Sequence, residues 1–375
     1  MLDLLTLPLV WLGAYCIGIA LDGKSLDVRR WAVVGVSAMA LILGCGWRTG
    51  AVYVGLSIGI IAFGKLIERL EGKSRQIAFA IAVTSCTAMI LGFLRFRGQI
   101  TALLAFIPSL SYLGFRAISY LTSVYRGEQV SVSTAGTQLL FFPMLFTGPI
   151  SRTTDFEQSR TDYRQVLRRL IIGLAMLTAG YLLKQEFILP QFMLLRKAAD
   201  YIPASHFWAS MLANSFELYF TFAGYSHLVI GLGLLFGFQL PENFNNPYMS
   251  QSIGEFWRKW HMSLSYWIRD YLYIPLGGNR YGLIRKCLHL MFAMGICGIW
   301  HGLTMNFLVW GLYHGAMLCV ESICAHYRFD PLGSLPDSVS RPIRIVRTFT
   351  LVTIGWLLFM YSIPAFWVHM RGLVP

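Results

Sequence analysis

The chain has 375 residues, of which 56% are hydrophobic, 15% aromatic and only 13% charged. Soluble domains run at roughly 45–50% apolar and about 25% charged, so this balance excludes a soluble globular protein and marks a membrane protein. Its formal net charge is +13, but the basic residues are scattered over short connections and not gathered on one soluble face, which excludes nucleic-acid binding.

Mainly apolar runs of about 18 residues or more recur along the chain. They are Leu4–Leu21, Trp31–Gly46, Gly50–Ile67, Ile77–Leu94, Thr101–Val124, Val166–Leu189, Phe207–Phe238, Leu288–Cys324 and Val346–His369. The expected fold is therefore an all-α polytopic membrane protein with about nine to eleven transmembrane helices. We expect one membrane domain over 1–375, with scaffold spans in 1–100, a functional core in 108–315 and a C-terminal span in 340–375. Lys24, Arg29 and Arg30 follow the first run, Arg48 the second, Lys65, Arg69, Lys73 and Arg75 the third, and Arg95 and Arg97 the fourth. By the positive-inside rule the first and third loops face the cytoplasm and the N-terminus lies outside. Met1–Leu9 carries Asp3 and no basic residue, so it reads as the start of a first span and not as a signal peptide.

The first four spans hold few polar groups suited to chemistry. From Pro108 the character changes, because PSLSYLGFRAISYLTSVYRGEQ places Ser109, Ser111, Tyr112, Ser119, Tyr120 and Arg116 in an apolar setting. Polar groups at membrane depth must be paired or face a wet cavity. In LLFFPMLFTGPISR, Pro143, Gly148 and Pro149 interrupt a run too short to span, which favours a re-entrant or broken helix over a surface loop. Ser151–Arg169 reads as an interfacial loop leading into a helix. The long run Phe207–Phe238 has room for a span plus a broken or re-entrant piece, and it carries Glu217, Thr221, Tyr225, Ser226 and His227. Glu217 and His227 lie about 80° off a common face of an unbroken helix, and Gly224 could break it. Local helix hydrogen bonding and a substrate pocket are both open readings for these groups.

After Pro241 a polar residue such as Ser250 or Ser252 can cap a helix in which Phe256, Trp257, Trp260, Leu264, Trp267 and Tyr271 recur at three- and four-residue steps. Arg258, Lys259, Arg269 and Asp270 are interleaved. That pattern describes an amphipathic helix at headgroup level, with His261 beside its apolar stripe. Pro275, Gly277 and Gly278 end it, and Arg280, Arg285 and Lys286 suggest a cytoplasmic turn. His301 follows in a segment whose other hydrogen-bonding side chains are chiefly Trp300, Thr304, Asn306 and Trp310. An imidazole desolvated there stays neutral near pH 7, the form a general base requires. A satisfied core histidine is the alternative, weighed against a second histidine forty positions earlier.

Other machinery is missing. There is no G-x-S-x-G, P-loop, G-x-G-x-x-G after a strand or H-E-x-x-H. Seven cysteines (Cys16, Cys45, Cys86, Cys287, Cys297, Cys319 and Cys324) have no C-x-x-C pair and read as small apolar core residues, with a thioester-forming cysteine as the alternative. His314 lies about 220° round a continuous helix from His301, so the two would not chelate one metal. Two mechanisms remain: histidine-assisted attack of a hydroxyl on an activated carbonyl, or a transporter with histidine proton relays.

The segments PENFNNPYMSQSIGEFWRKWHMSLSYWIRDYLYIPLGGNR and IWHGLTMNFLVWGLYHG resemble the membrane-bound O-acyltransferase family, and so do SYLGFRAISYLTSVYRG, FFPMLFTGPISR and LYFTFAGYSHLVIGLGLLFGF upstream. PLGGNR, ENFNNPY and SVYRG are similar to the alginate-O-acetylase-like branch, whereas the length, FRAI and TGPISR are similar to the D-alanyl transfer branch of teichoic acid modification. His227 departs from the alginate-type pattern, which has an acidic residue after G-Y-S. The resemblance implies a ring of helices around a funnel-like centre, a bacterial inner-membrane location, and acyl transfer from a cytoplasmic thioester to an exported polymer. It implies His301 and His261 as the catalytic residues, His301 as the base and His261 lining the reaction channel to position donor or acceptor. Asn245, Trp260, Tyr271, Trp300, Asn306 and Tyr225 are the expected substrate-binding residues. No bound cofactor or metal is expected, the donor being acetyl-CoA or an acyl carrier protein. Expected partners are that donor or carrier, an exported transferase or polymer-export protein, and the bilayer, with no nucleic acid.

Overall fold

The structure, a computed structural model, describes residues 8–96, 110–145, 147–157, 161–188, 204–361 and 363. Within them the chain forms thirteen α-helices and no strand. In order these are α1 (Pro8–Ala20), α2 (Leu26–Cys45), α3 (Trp47–Arg69), α4 (Gly72–Phe96), α5 (Leu110–Tyr125), α6 (Val132–Leu140) and α7 (Tyr163–Leu183). They continue as α8 (Ala204–Leu235), α9 (Ile253–Lys259), α10 (Met262–Ile268), α11 (Gly282–His301), α12 (Met305–His326) and α13 (Asp337–Met360). Eight of the described helices, α2, α3, α4, α7, α8, α11, α12 and α13, are long and apolar enough to cross a membrane. Their outward faces stay apolar, with Leu43 77% and Ile284 78% exposed. Water would penalise such faces and lipid does not, so this is a multi-pass membrane protein. The beginning of the first expected span, Ser109, and the end of the C-terminal span lie outside the described residues.

Two compact units are present, one from Met1–Leu174 with Gly224–Glu242 and one from Ala175–Ala223 with Asn243–Pro375. In the first, Gly46 at φ 85° joins α2 directly to α3, a backbone state that a Cβ would strain. The arginines buried inside this unit are hydrogen-bonded, as burial demands. Arg30 donates twice to the Phe156 carbonyl, at 3.0 and 2.8 Å, and pairs with Asp27 at 3.3 Å. Arg116, 1% exposed, donates to the Gln138 carbonyl at 3.0 Å and the Tyr53 hydroxyl at 2.7 Å. Ser119 bonds back to the Phe115 carbonyl at 3.0 Å, and Tyr120 to the Ile61 carbonyl at 3.3 Å. These polar groups of the 108–127 stretch are therefore structural.

Around Pro143 the chain makes a buried single-turn 3₁₀ helix, Phe142–Met144, closed by a bond from the Phe142 N–H to Ser37 Oγ at 3.2 Å. Phe141 next to it packs edge-on against Phe156, Phe236 and Phe238 at 5.9, 6.2 and 6.3 Å. Where the sequence suggested a break at Gly224, α8 runs through it unbroken. One glycine in a long apolar helix lowers propensity without removing a hydrogen bond, so nothing forces a kink.

Candidate active site

The second unit carries both Trp-His pairs. The three- and four-residue steps from Phe256 to Tyr271 suggested one amphipathic helix, but the chain breaks there into α9, α10 and a π-helical turn, Arg269–Tyr273. Ser252 caps α9 by accepting the Glu255 N–H at 3.1 Å. The Glu321 carboxylate takes the Ile253 and Gly254 N–H groups, which have no partner inside the helix. Seven residues later Trp260 turns extended, at φ −102° and ψ 129°, and His261 enters the left-handed region at φ 42° and ψ 54°. For a residue with a Cβ that state costs on the order of 1–3 kcal/mol and persists only where neighbours hold it.

Asn243 is the neighbour that holds it. Its carbonyl accepts the Met262 N–H at 2.9 Å. Its side-chain oxygen takes Ser263 Oγ at 2.8 Å, the Ser263 N–H at 3.4 Å and His261 Nδ1 at 3.0 Å. His261 is 2% exposed and packs edge-on to Phe222 at 4.7 Å. Burial, and then the neighbouring His301, hold its pKa well below the ordinary histidine range, so it is neutral at pH 7.

His301 is the last residue of α11, presented where Gly302 ends the helix. Its ring lies among Trp300 at 4.5 Å, Phe359 at 4.8 Å, Trp310 at 5.2 Å and Phe307 at 6.2 Å. Trp300 also faces His261 at 6.4 Å, so one indole borders both imidazoles. The α11–α12 hairpin that fixes this end packs on glycines: a Cβ at Gly298 would run into the Phe307 carbonyl, and one at Gly311 into the Met294 carbonyl. A cavity of about 320 Å³ is lined by Gly254, Trp257, Arg258, Leu264, Arg269, Met294 and Cys297. Cys297 lies one helical turn before His301.

Trp260 is buried among Phe244 at 5.0 Å, Phe256 at 5.5 Å and Trp356 at 4.8 Å. Asn306 accepts from Thr304 Oγ1 at 2.6 Å, beside the start of α12, and the Tyr271 ring packs tilted against Trp267 at 5.0 Å. Asn245 is not at the histidines. It is exposed, and its backbone N–H donates to the Lys259 carbonyl at 3.0 Å. The asparagine that reaches His261 is Asn243, two positions earlier in the same ENFNNP stretch, and the only sequence signal for it was that cluster. Tyr225 belongs to the first unit, where its hydroxyl donates to the Pro143 carbonyl at 3.1 Å. His227, also in the first unit, accepts through Nδ1 from Arg169 at 2.8 Å, while Arg169 pairs with Glu242. Glu217 takes the Thr221 hydroxyl, one turn away, at 3.3 Å.

His314 was the histidine that sequence spacing set aside. The helix breaks after His301, so an angle round a continuous helix does not apply; instead Trp310 stands 5.2 Å from both rings. His314 is fully buried, and neither ring nitrogen has a hydrogen-bond partner among the described residues. No three His, Cys, Asp or Glu side chains among the described residues could hold a metal ion.

A family model of MBOAT, the membrane-bound O-acyltransferase family, matches residues 137–364. The chain is 34% identical over 333 residues to "Probable alginate O-acetylase AlgI" of Azotobacter vinelandii, covering 82% of this chain and 63% of that protein. It is 35% identical over 228 residues to the peptidoglycan O-acetyltransferase of Helicobacter pylori, covering 58% and 42%. To the teichoic acid D-alanyltransferase of Bacillus subtilis it is 28% identical over 270 residues, 67% of each chain. Against the alginate-type relatives the chain spans about half to two thirds of their length.

Proposed function

This chain belongs to the membrane-bound O-acyltransferase family, and from that premise we propose that it moves a small acyl group, acetyl, from a thioester on the cytoplasmic side to hydroxyls of an exported polysaccharide or other envelope polymer. The observation that carries this reading is the pair of imidazoles bordering Trp300, that of His301 packed among aromatic rings and that of His261 held by Asn243.

The chemistry balances with these groups alone. His301 takes the proton of the acceptor hydroxyl as its oxygen attacks the thioester carbonyl. The C–S bond then breaks, and the imidazolium returns the proton to the departing thiolate, giving an ester and a free thiol. Aromatic walls keep water from competing as the nucleophile. The C-terminal end of α11, with its partial negative charge, complements the cation formed on His301. The cavity lined by Arg258 and Arg269, with Leu264 and Met294 on its walls, fits a phosphate-bearing thioester arm such as that of coenzyme A or an acyl carrier protein.

A second reading, transfer of D-alanyl from a carrier protein, is favoured by the relationship to the D-alanyltransferases, which covers equal shares of both chains. Mass spectrometry of envelope polymers from a strain lacking this chain separates the two. Loss of acetyl esters, restored by the wild-type chain and not by His301→Ala, is the expected result; loss of D-alanyl esters selects the second reading. Restoration by His301→Ala as well would contradict a catalytic His301 and point to transport.

A further inference from the structure

Asn243 has no part in the chemistry above, yet it is fully buried at the break between α9 and α10. Its side-chain oxygen meets the Ser263 backbone N–H, which can only donate. The amide is thereby oriented with its oxygen toward the break, and an amide oxygen can only accept. Nδ1 of His261, 3.0 Å from that oxygen, must therefore carry a proton. A neutral imidazole protonated at Nδ1 has its lone pair on Nε2. That nitrogen is buried without a hydrogen-bond partner among the described residues. Buried polar atoms are nearly always satisfied in the working state, so this acceptor calls for a donor from outside the chain.

We propose that Asn243 is a positioning residue that fixes His261 as its Nδ1–H tautomer, and that the resulting Nε2 acceptor binds a second hydroxyl of the acyl acceptor, next to the one that reacts at His301. This rests on the transferase reading given above. The reacting hydroxyl has a single proton, which goes to His301, so a donor at His261 has to be another group. Sugars and polyols supply one, since their hydroxyls stand on adjacent carbons, and the two imidazoles flank the same indole. The acceptor class is thus a vicinal diol, and a simple monohydric alcohol leaves Nε2 desolvated and unpaired. Sites built to bond a substrate hydroxyl reject analogues lacking it by as much as ~10⁴–10⁵-fold.

Two measurements on the full-length protein in nanodiscs test this. In the first, ¹⁵N-histidine labelling, with His261→Gln to assign the signal, reads the tautomer directly. Wild type should show Nδ1–H at His261, Asn243→Asp should keep it because a carboxylate also accepts, and Asn243→Leu should lose it. Finding His261 protonated at Nε2 in wild type would overturn the assignment. In the second, kcat/KM is compared for a vicinal diol and a matched monohydric alcohol, with acetyl-CoA as donor. Wild type should prefer the diol at least ~10-fold, and Asn243→Leu should lose the preference through the diol's KM while Asn243→Asp keeps it. An equal preference in wild type and Asn243→Leu, with the tautomer changed, would refute the hydroxyl subsite. Should the leucine variant fail to fold, the wild-type tautomer and the aspartate variant still decide the matter. Absence of transfer to every acceptor by wild type would sink the transferase reading and the subsite with it, while the ¹⁵N spectrum would still decide whether Asn243 sets the tautomer.

Discussion

Trp260 and His261 stop a helix that the run of Phe256, Trp257, Leu264 and Trp267 would otherwise carry onward, and the stop turns His261 into the grip of Asn243. Its depressed pKa has a thermodynamic consequence. The unfolded chain, with an ordinary histidine near 6.5, binds more protons than the folded chain below that pH, so stability is lost as pH falls. Asp155 has the opposite sign: burial pushes its carboxyl up to about 6, against the pull of the Arg152 N–H that donates to it. Its stabilising protonated form is present at low pH and lost as pH rises from about 4 through that value. Thermal melting in detergent should therefore weaken less on acidification in His261→Gln than in wild type, and Asp155→Asn should remove a loss of stability on going from about pH 4 to 6. Parallel melting curves for wild type and both variants would contradict these assignments.

At the scale of elements, the α11–α12 hairpin depends on Gly298 and Gly311, each facing a carbonyl of the other helix. Small residues let membrane helices approach this closely, and the contact ends three residues before His301. Gly298→Ala or Gly311→Ala should cost about 1–3 kcal/mol through overpacking, lower the melting temperature, and lower transfer activity by moving His301. Unchanged melting for both would show that the hairpin tolerates separation. Much of this level was legible in the sequence, because apolar length alone marks helices such as α3, α7 and α12. The breaks were not. Periodicity carried one helix across Trp260 and His261, since the signal for the turn is a tertiary clamp from Asn243 and no glycine or proline stands at the site. Conversely Gly224 looked like a break, and α8 passes through it because its hydrogen bonds are intact. Asn245 was nominated and Asn243 missed for a similar reason, that only the fold decides which amide of ENFNNP turns inward.

For the whole molecule, the Trp-His pairs and the family resemblance agree with the family match over residues 137–364. Both histidines lie in the second unit together with the cavity lined by Arg258 and Arg269, so the proposed thioester, base and acceptor sites can be probed on one body. The most direct test of acyl transfer at His301 is single-turnover release of free thiol from an acetyl thioester by the purified chain, with and without a polyol acceptor. Acceptor-dependent release, lowered ~10²–10⁴-fold in His301→Ala, is the predicted result. Release that is absent from the wild-type protein, or equal in His301→Ala, would contradict it.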